Sequence, residues 1–161
     1  MDILDQAIEM EIQGEAFYRE IAADTVDPSI KIVLNNLANE EIKHRKLFEY
    51  MKAKLPVQVI LSDIKPVTLT IFQELKAQNI TGTFKQSVTD ALQKAEDIEI
   101  KSYKYYRDQA KQIQDPAYQD VIKQIADEEE AHASIVLDLL NYYLEPKQWL
   151  EDAEWNHHDE Y

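Results

Sequence analysis

The chain has 161 residues, enough for one domain with a real core and too few for two. It has 2 Gly and 5 Pro against 45% hydrophobic and 30% charged residues, the composition of a mostly helical globular protein. A formal charge of -14 argues against nucleic acid or an anionic membrane surface as partner, since both need clustered Lys and Arg. The absence of Cys rules out disulfides, thiolate zinc sites, Cys-ligated iron-sulfur clusters and a rubredoxin-type iron within the chain.

The N-terminus Met1-Asp2-Ile3-Leu4-Asp5 has no basic start followed by an apolar stretch. No run approaches the roughly 20 apolar residues of a membrane span, so a soluble cytoplasmic protein is expected. The periodicity predicts a first helix over residues 3 to 24, with Leu4, Ala7, Glu11, Gly14, Tyr18 and Ile21 on one stripe. Asp27 is an N-cap acceptor and Pro28 sits where a missing N–H does no harm, so a second helix starts there. Its stripe is Ile30, Leu34, Leu37, Glu41, His44, Phe48 and Met51. Residues 54 to 82 form a crossover, extended over Leu55 to Leu61 and then helical from Val67 to Ala77. A link of that length lets the helices it joins run in the same direction. Thr83 and Gln86 resemble a capping box opening the third long helix, whose stripe is Val88, Leu92, Ala95, Glu99, Ser102 and Tyr106. The fourth begins at Asp115-Pro116 and carries Tyr118, Ile122, Ile125, Glu129, His132, Val136, Leu139 and Tyr143. After Pro146 a short helical tail forms around Trp149 and Leu150. The expected architecture is an all-α bundle of two helix hairpins, residues 1–53 and 83–144, with crossover 54–82 and tail 145–161, in one domain over 1–161.

The two hairpins repeat one another at an offset of 88 residues. Glu11-Ile12 and Tyr18-Arg19 return as Glu99-Ile100 and Tyr106-Arg107, Glu41-x-x-His44 returns as Glu129-x-x-His132, and the turn Asp27-Pro28 returns as Asp115-Pro116. Glu11, Glu41, His44, Glu99, Glu129 and His132 all fall on apolar seams that a core would otherwise fill with Leu or Ala. Burying an unpaired carboxylate costs several kcal/mol, and four facing one another also repel. Two divalent cations would cancel those charges, with the neutral imidazoles completing the coordination. Residues i and i+3 share a helix face, so each Glu-x-x-His can present two donors to one region, its Glu as the natural bridge. Oxygen and imidazole donors suit iron or manganese, and zinc or cobalt also fit.

Five other features take plainer readings. Tyr18 and Tyr106 lie seven residues beyond Glu11 and Glu99 on the same stripes, as core aromatics or as hydrogen-bond donors to a ligating carboxylate. Gly14 and Ser102 are small and leave volume beside the site for an oxidant. Glu40 and Glu128 lie about 100° around the helix from the seam, on solvated faces or in outer contacts. Arg19 and Arg107 suit surface ion pairs, and adjacent His157-His158 in the tail is a weak candidate for a metal.

The order Glu, Glu-x-x-His, Glu, Glu-x-x-His on four helices resembles the ferritin-like diiron-carboxylate superfamily, and the phrasing around Phe17-Tyr18 and Tyr105-Tyr106 is similar to its rubrerythrin branch. The resemblance spans roughly residues 1 to 144. It implies a ferritin-like bundle with two metal ions per chain, most simply iron, that reacts with dioxygen or hydrogen peroxide in oxidative-stress defence. A separate electron-donor protein would re-reduce the site, since the Cys-bearing rubredoxin domain of that branch has no counterpart here. An additional ligating glutamate of that branch falls at Ser102, whose repeat partner is Gly14, so the ligand exchange of its peroxidase cycle does not carry over. Two alternatives use the same ligands: iron oxidation as in ferritins, and monooxygenation of an organic substrate. The apolar Val57 to Leu61 segment and the aromatic tail suggest a homodimer.

Overall fold

A computed structural model describes residues 2–57, 64–77 and 86–144, and every regular element among them is helical. The elements are α1 (Ile3–Asp24), α2 (Pro28–Lys52), α3 (Ile64–Ala77), α4 (Gln86–Ala110) and α5 (Pro116–Leu144). The caps set the starts as expected. Asp2 accepts from the Asp5 N–H at 2.8 Å, Asp27 from Ser29 at 2.9 Å, and Asp115 from Ala117 at 2.9 Å. Pro28 and Pro116 each open a helix, where no intrahelical donor is lost.

The crossover helix begins at Ile64, three residues earlier than the sequence suggests. Pro66 falls in its first turn, where backbone N–H groups have no intrahelical acceptor, so the helix absorbs the proline instead of starting after it. The capping pair at Thr83, the extended stretch beyond residue 57, the tail helix and His157-His158 lie outside the described residues.

α1 packs along α2 and α4 along α5, and the two hairpins meet through α1 with α4 and α2 with α5. The core is divided. One apolar cluster gathers Ile21, Ile30, Leu34, Leu37, Leu92, Val136 and Leu139, with Ile71, Phe72 and Leu75 of α3 closing over it. The second gathers Ala7, Phe48, Met51, Tyr106, Ala110, Ile122 and Ile125. The second cluster therefore holds the beginnings of α1 and α5 and the ends of α2 and α4. Thus α2 and α4 point the same way, and the crossover returns the chain along the length of the bundle. This is the ferritin-like helical bundle the sequence predicts. No helix among the described residues is long and apolar enough to cross a membrane.

Candidate metal centre

Between the two apolar clusters lies a polar layer built from one or two residues of each long helix. Glu11 comes from α1, Glu41 and His44 from α2, Glu99 from α4, and Glu129 and His132 from α5. None is more than 4% exposed. Each helix places its donors inward because they continue the heptad-spaced stripe whose other members are Leu, Ile, Ala and Phe.

The six residues form two overlapping sets of four. Glu11, Glu41, His44 and Glu129 make one, and Glu41, Glu99, Glu129 and His132 the other, with one donor atom of every member within 4.8 Å of the rest. Glu41 and Glu129 belong to both. The imidazoles of His44 and His132 lie nearly parallel, 17° apart, with centroids separated by 5.7 Å. Each turns Nδ1 toward the carboxylates: His44 Nδ1 is 2.8 Å from Glu129 Oε1, and His132 Nδ1 is 3.3 Å from Glu41 Oε1.

The tyrosines cross between the hairpins. Tyr18 donates to Oε1 of Glu99, and Tyr106 donates to Oε1 of Glu11 at 2.8 Å. Each hydroxyl thus holds the lone glutamate of the opposite repeat, and burial followed by that carboxylate's charge raises both phenols well above their usual range.

Glu128 corrects one part of the sequence reading. It faces the α2–α5 contact, not open solvent, and its Oε2 lies 2.5 Å from Nε2 of His44. Burial alone would raise Glu128, but the hydrogen bond from His44 together with the charges of His44, His132 and Lys43 outweighs it and leaves the carboxyl below its usual range. Glu40 is also buried, at 2% exposure, with Oε2 3.2 Å from Lys43 Nζ. A helix with bundle neighbours on two sides covers residues 100° off its central stripe, so the solvated-face alternative fails for both. The arginines follow the surface reading: Arg107 pairs with Asp127 and Glu130, and Arg19 bonds the side chains of Asn35 and Asn39.

The donor chemistry suits metal ions. Glu11 Oε2, Glu41 Oε1 and both nitrogens of His132 are buried without a hydrogen-bond partner among the described residues, an arrangement that costs free energy unless something else satisfies them. In the metal-free protein, protons on Glu41 and Glu99 relieve part of the repulsion among the four carboxylates. Burial and the charge of Glu129 raise Glu99 to about 8, and burial with the charge of Glu11 raises Glu41 well above the usual carboxylate range. Burial opposes charge on His44 and His132 but is outweighed by their carboxylate contacts, so both are raised. Glu11 and Glu129 stay low because contacts from the surrounding donors outweigh their burial. Cations would replace those protons and use the same atoms.

A cavity of about 330 Å³ lies between α1 and α4 against the carboxylates, with Gly14 and Ser102 in its wall. Gly14 is small for a definite reason: a Cβ there would lie 3.0 Å from Oε2 of Glu41. Ser102, 8% exposed, turns its hydroxyl back to the Ile98 carbonyl at 2.9 Å. A family model described as Rubrerythrin matches residues 2–140. No curated protein and no solved structure matches the chain.

Proposed function

The chain belongs to the rubrerythrin family, and on that premise we propose that it is a diiron-carboxylate oxidoreductase whose oxidant is dioxygen or hydrogen peroxide. One observation carries the reading: two four-donor sets share Glu41 and Glu129, as ligands common to two ions must. Glu11 with His44, and Glu99 with His132, would complete the two halves. Four carboxylates balance two divalent cations; imidazole with oxygen donors suits iron among other first-row metals, and the family membership favours iron among them.

When bound, the metal pair supplies Lewis acidity and two electrons to an oxidant. The chain's own residues supply the rest. Tyr106 and Tyr18 fix the orientation of Glu11 and Glu99, and Glu128 holds the His44 ring. Burial of all six donors keeps them off the protein surface, while the cavity beside Gly14 and Ser102 gives the oxidant a way in. In this reading a separate donor protein re-reduces the site, as the family resemblance implies. Because Ser102 is no ligand, the reading includes no ligand exchange at that position.

The test is to prepare the protein anaerobically, reduced and iron-loaded, and then mix it with peroxide or with oxygenated buffer. Rapid oxidant consumption, with about one peroxide used per pair of irons and sustained turnover when a donor is added, is the expected result. Oxidation no faster than that of free ferrous ion, or accumulation of a mineral of many irons per chain, contradicts it.

A further inference from the structure

The cavity between α1 and α4 is far larger than the proposed oxidants need. At about 30 Å³ for each water-sized group, its ≈ 330 Å³ holds roughly ten heavy atoms, against the two oxygens of peroxide. That size is within the range of small-molecule sites.

Its lining is graded from end to end. The floor is polar and buried: Glu11, Glu41 and Glu99 with the hydroxyls of Tyr18 and Tyr106. The wall is apolar, formed by Met10, Phe17, Ala95 and Ile98. The mouth carries exposed Lys94 and Lys101, with Gln13 opposite. Lys94, Ile98 and Lys101 follow one another at helical spacing on α4, so both ammonium groups stand on the face that borders the opening. Lys94 Nζ lies 5.6 Å from the Phe17 ring centroid, which holds that charge over the wall. In a chain of charge -14, two lysines with no carboxylate beside them at the mouth among the described residues select for an anion.

We propose that this cavity binds a small amphipathic monocarboxylate, its head at Lys94 and Lys101 and its apolar body reaching the carboxylate floor. This deepens the oxidoreductase reading and rests on it for what lies at that floor. The ligand class follows from three features together: an opening that is cationic, a wall that is apolar, and a volume of about ten heavy atoms.

The experiment uses full-length protein filled with redox-inert zinc, its metal content verified, titrated calorimetrically with octanoate, hydrocinnamate and the neutral control octanol. Saturable binding of the two acids is expected. Reversing both charges, Lys94→Glu with Lys101→Glu, should weaken the acids about tenfold and leave octanol within about twofold. Ser102→Phe, which fills the cavity without removing a proposed metal ligand, should abolish binding of all three. The inference is overturned if neither acid binds the zinc-filled protein, if charge reversal leaves their affinity unchanged, or if a zinc-filled Ser102→Phe variant binds them as before. Failure of the protein to take up zinc while octanoate still binds would overturn the dimetal reading and leave the carboxylate site standing.

Discussion

Tyr106 on α4 donates a 2.8 Å hydrogen bond to Glu11 on α1, and Tyr18 on α1 returns the relationship to Glu99 on α4. The crossed pairs tie the hairpins together at the polar layer and aim one carboxylate in each half-site. Tyr106→Phe should remove the bond while keeping the ring in its cluster beside Phe48. An orienting partner of this kind is worth about 10–100-fold in metal affinity. Competition with a chelator should show that loss for one of the two ions, and Tyr18→Phe should show it for the other. Unchanged affinity in both would reduce the tyrosines to packing.

The repeats are not equivalent around their histidines. His44 Nε2 meets Glu128, whereas Nε2 of His132 has no hydrogen-bond partner among the described residues. Glu128→Ala should therefore weaken only the half-site containing His44, giving a protein that holds one ion tightly and the other loosely. Glu128→Gln, which still accepts a hydrogen bond, should recover part of the difference. Equal weakening of both ions would refute this asymmetric role.

In the metal-free protein, stability should fall from mildly acidic toward alkaline pH. Glu99 is raised from 4.5 to about 8 and Glu41 is also raised, so above pH 4.5 the folded state keeps protons that the unfolded state has lost. Stability then declines with pH over that interval. His44 and His132, raised above 6.5, act in the same direction: their contribution is complete below 6.5 and lost as pH passes their folded values. Glu11 and Glu129 are lowered, and their contribution is lost only on acidification below 4.5. Urea unfolding of the metal-free protein at about pH 5, 7 and 9 should give successively lower midpoints, and metal loading should flatten the trend. A metal-free midpoint that rises toward pH 9 would contradict this assignment of protons.

Gly14 separates helix propensity from the site. Alanine would favour the helix by up to about 1 kcal/mol, but its Cβ would press on Glu41 Oε2. Gly14→Ala should leave metal-free stability within about 1 kcal/mol of the parent and lower metal affinity severalfold. Unimpaired affinity would mean that Glu41 moves aside without cost.

Much of this arrangement was legible in the sequence, for identifiable reasons. Asp27-Pro28 and Asp115-Pro116 marked helix starts by cap chemistry, and the repeat exposed six donors on seams where apolar residues belong. Spacing along one helix says nothing about contacts across helices. The stripes therefore put Tyr106 in line with Glu99 of its own helix, but not with Glu11, its actual partner. Glu128 was obscure for a related reason: its 100° displacement from the seam looks like exposure until α2 is packed against α5. α3 starts three residues before the expected Val67, because Pro66 costs nothing in a first turn.

In the proposed dimetal centre Glu41 and Glu129 serve two ions while Glu11 serves one. Elemental analysis of iron-loaded protein, compared with Glu41→Ala and Glu11→Ala, tests it most directly. About two ions per chain are expected in the parent, with severe loss of both in Glu41→Ala and about one retained in Glu11→Ala. A full complement in Glu41→Ala would contradict it.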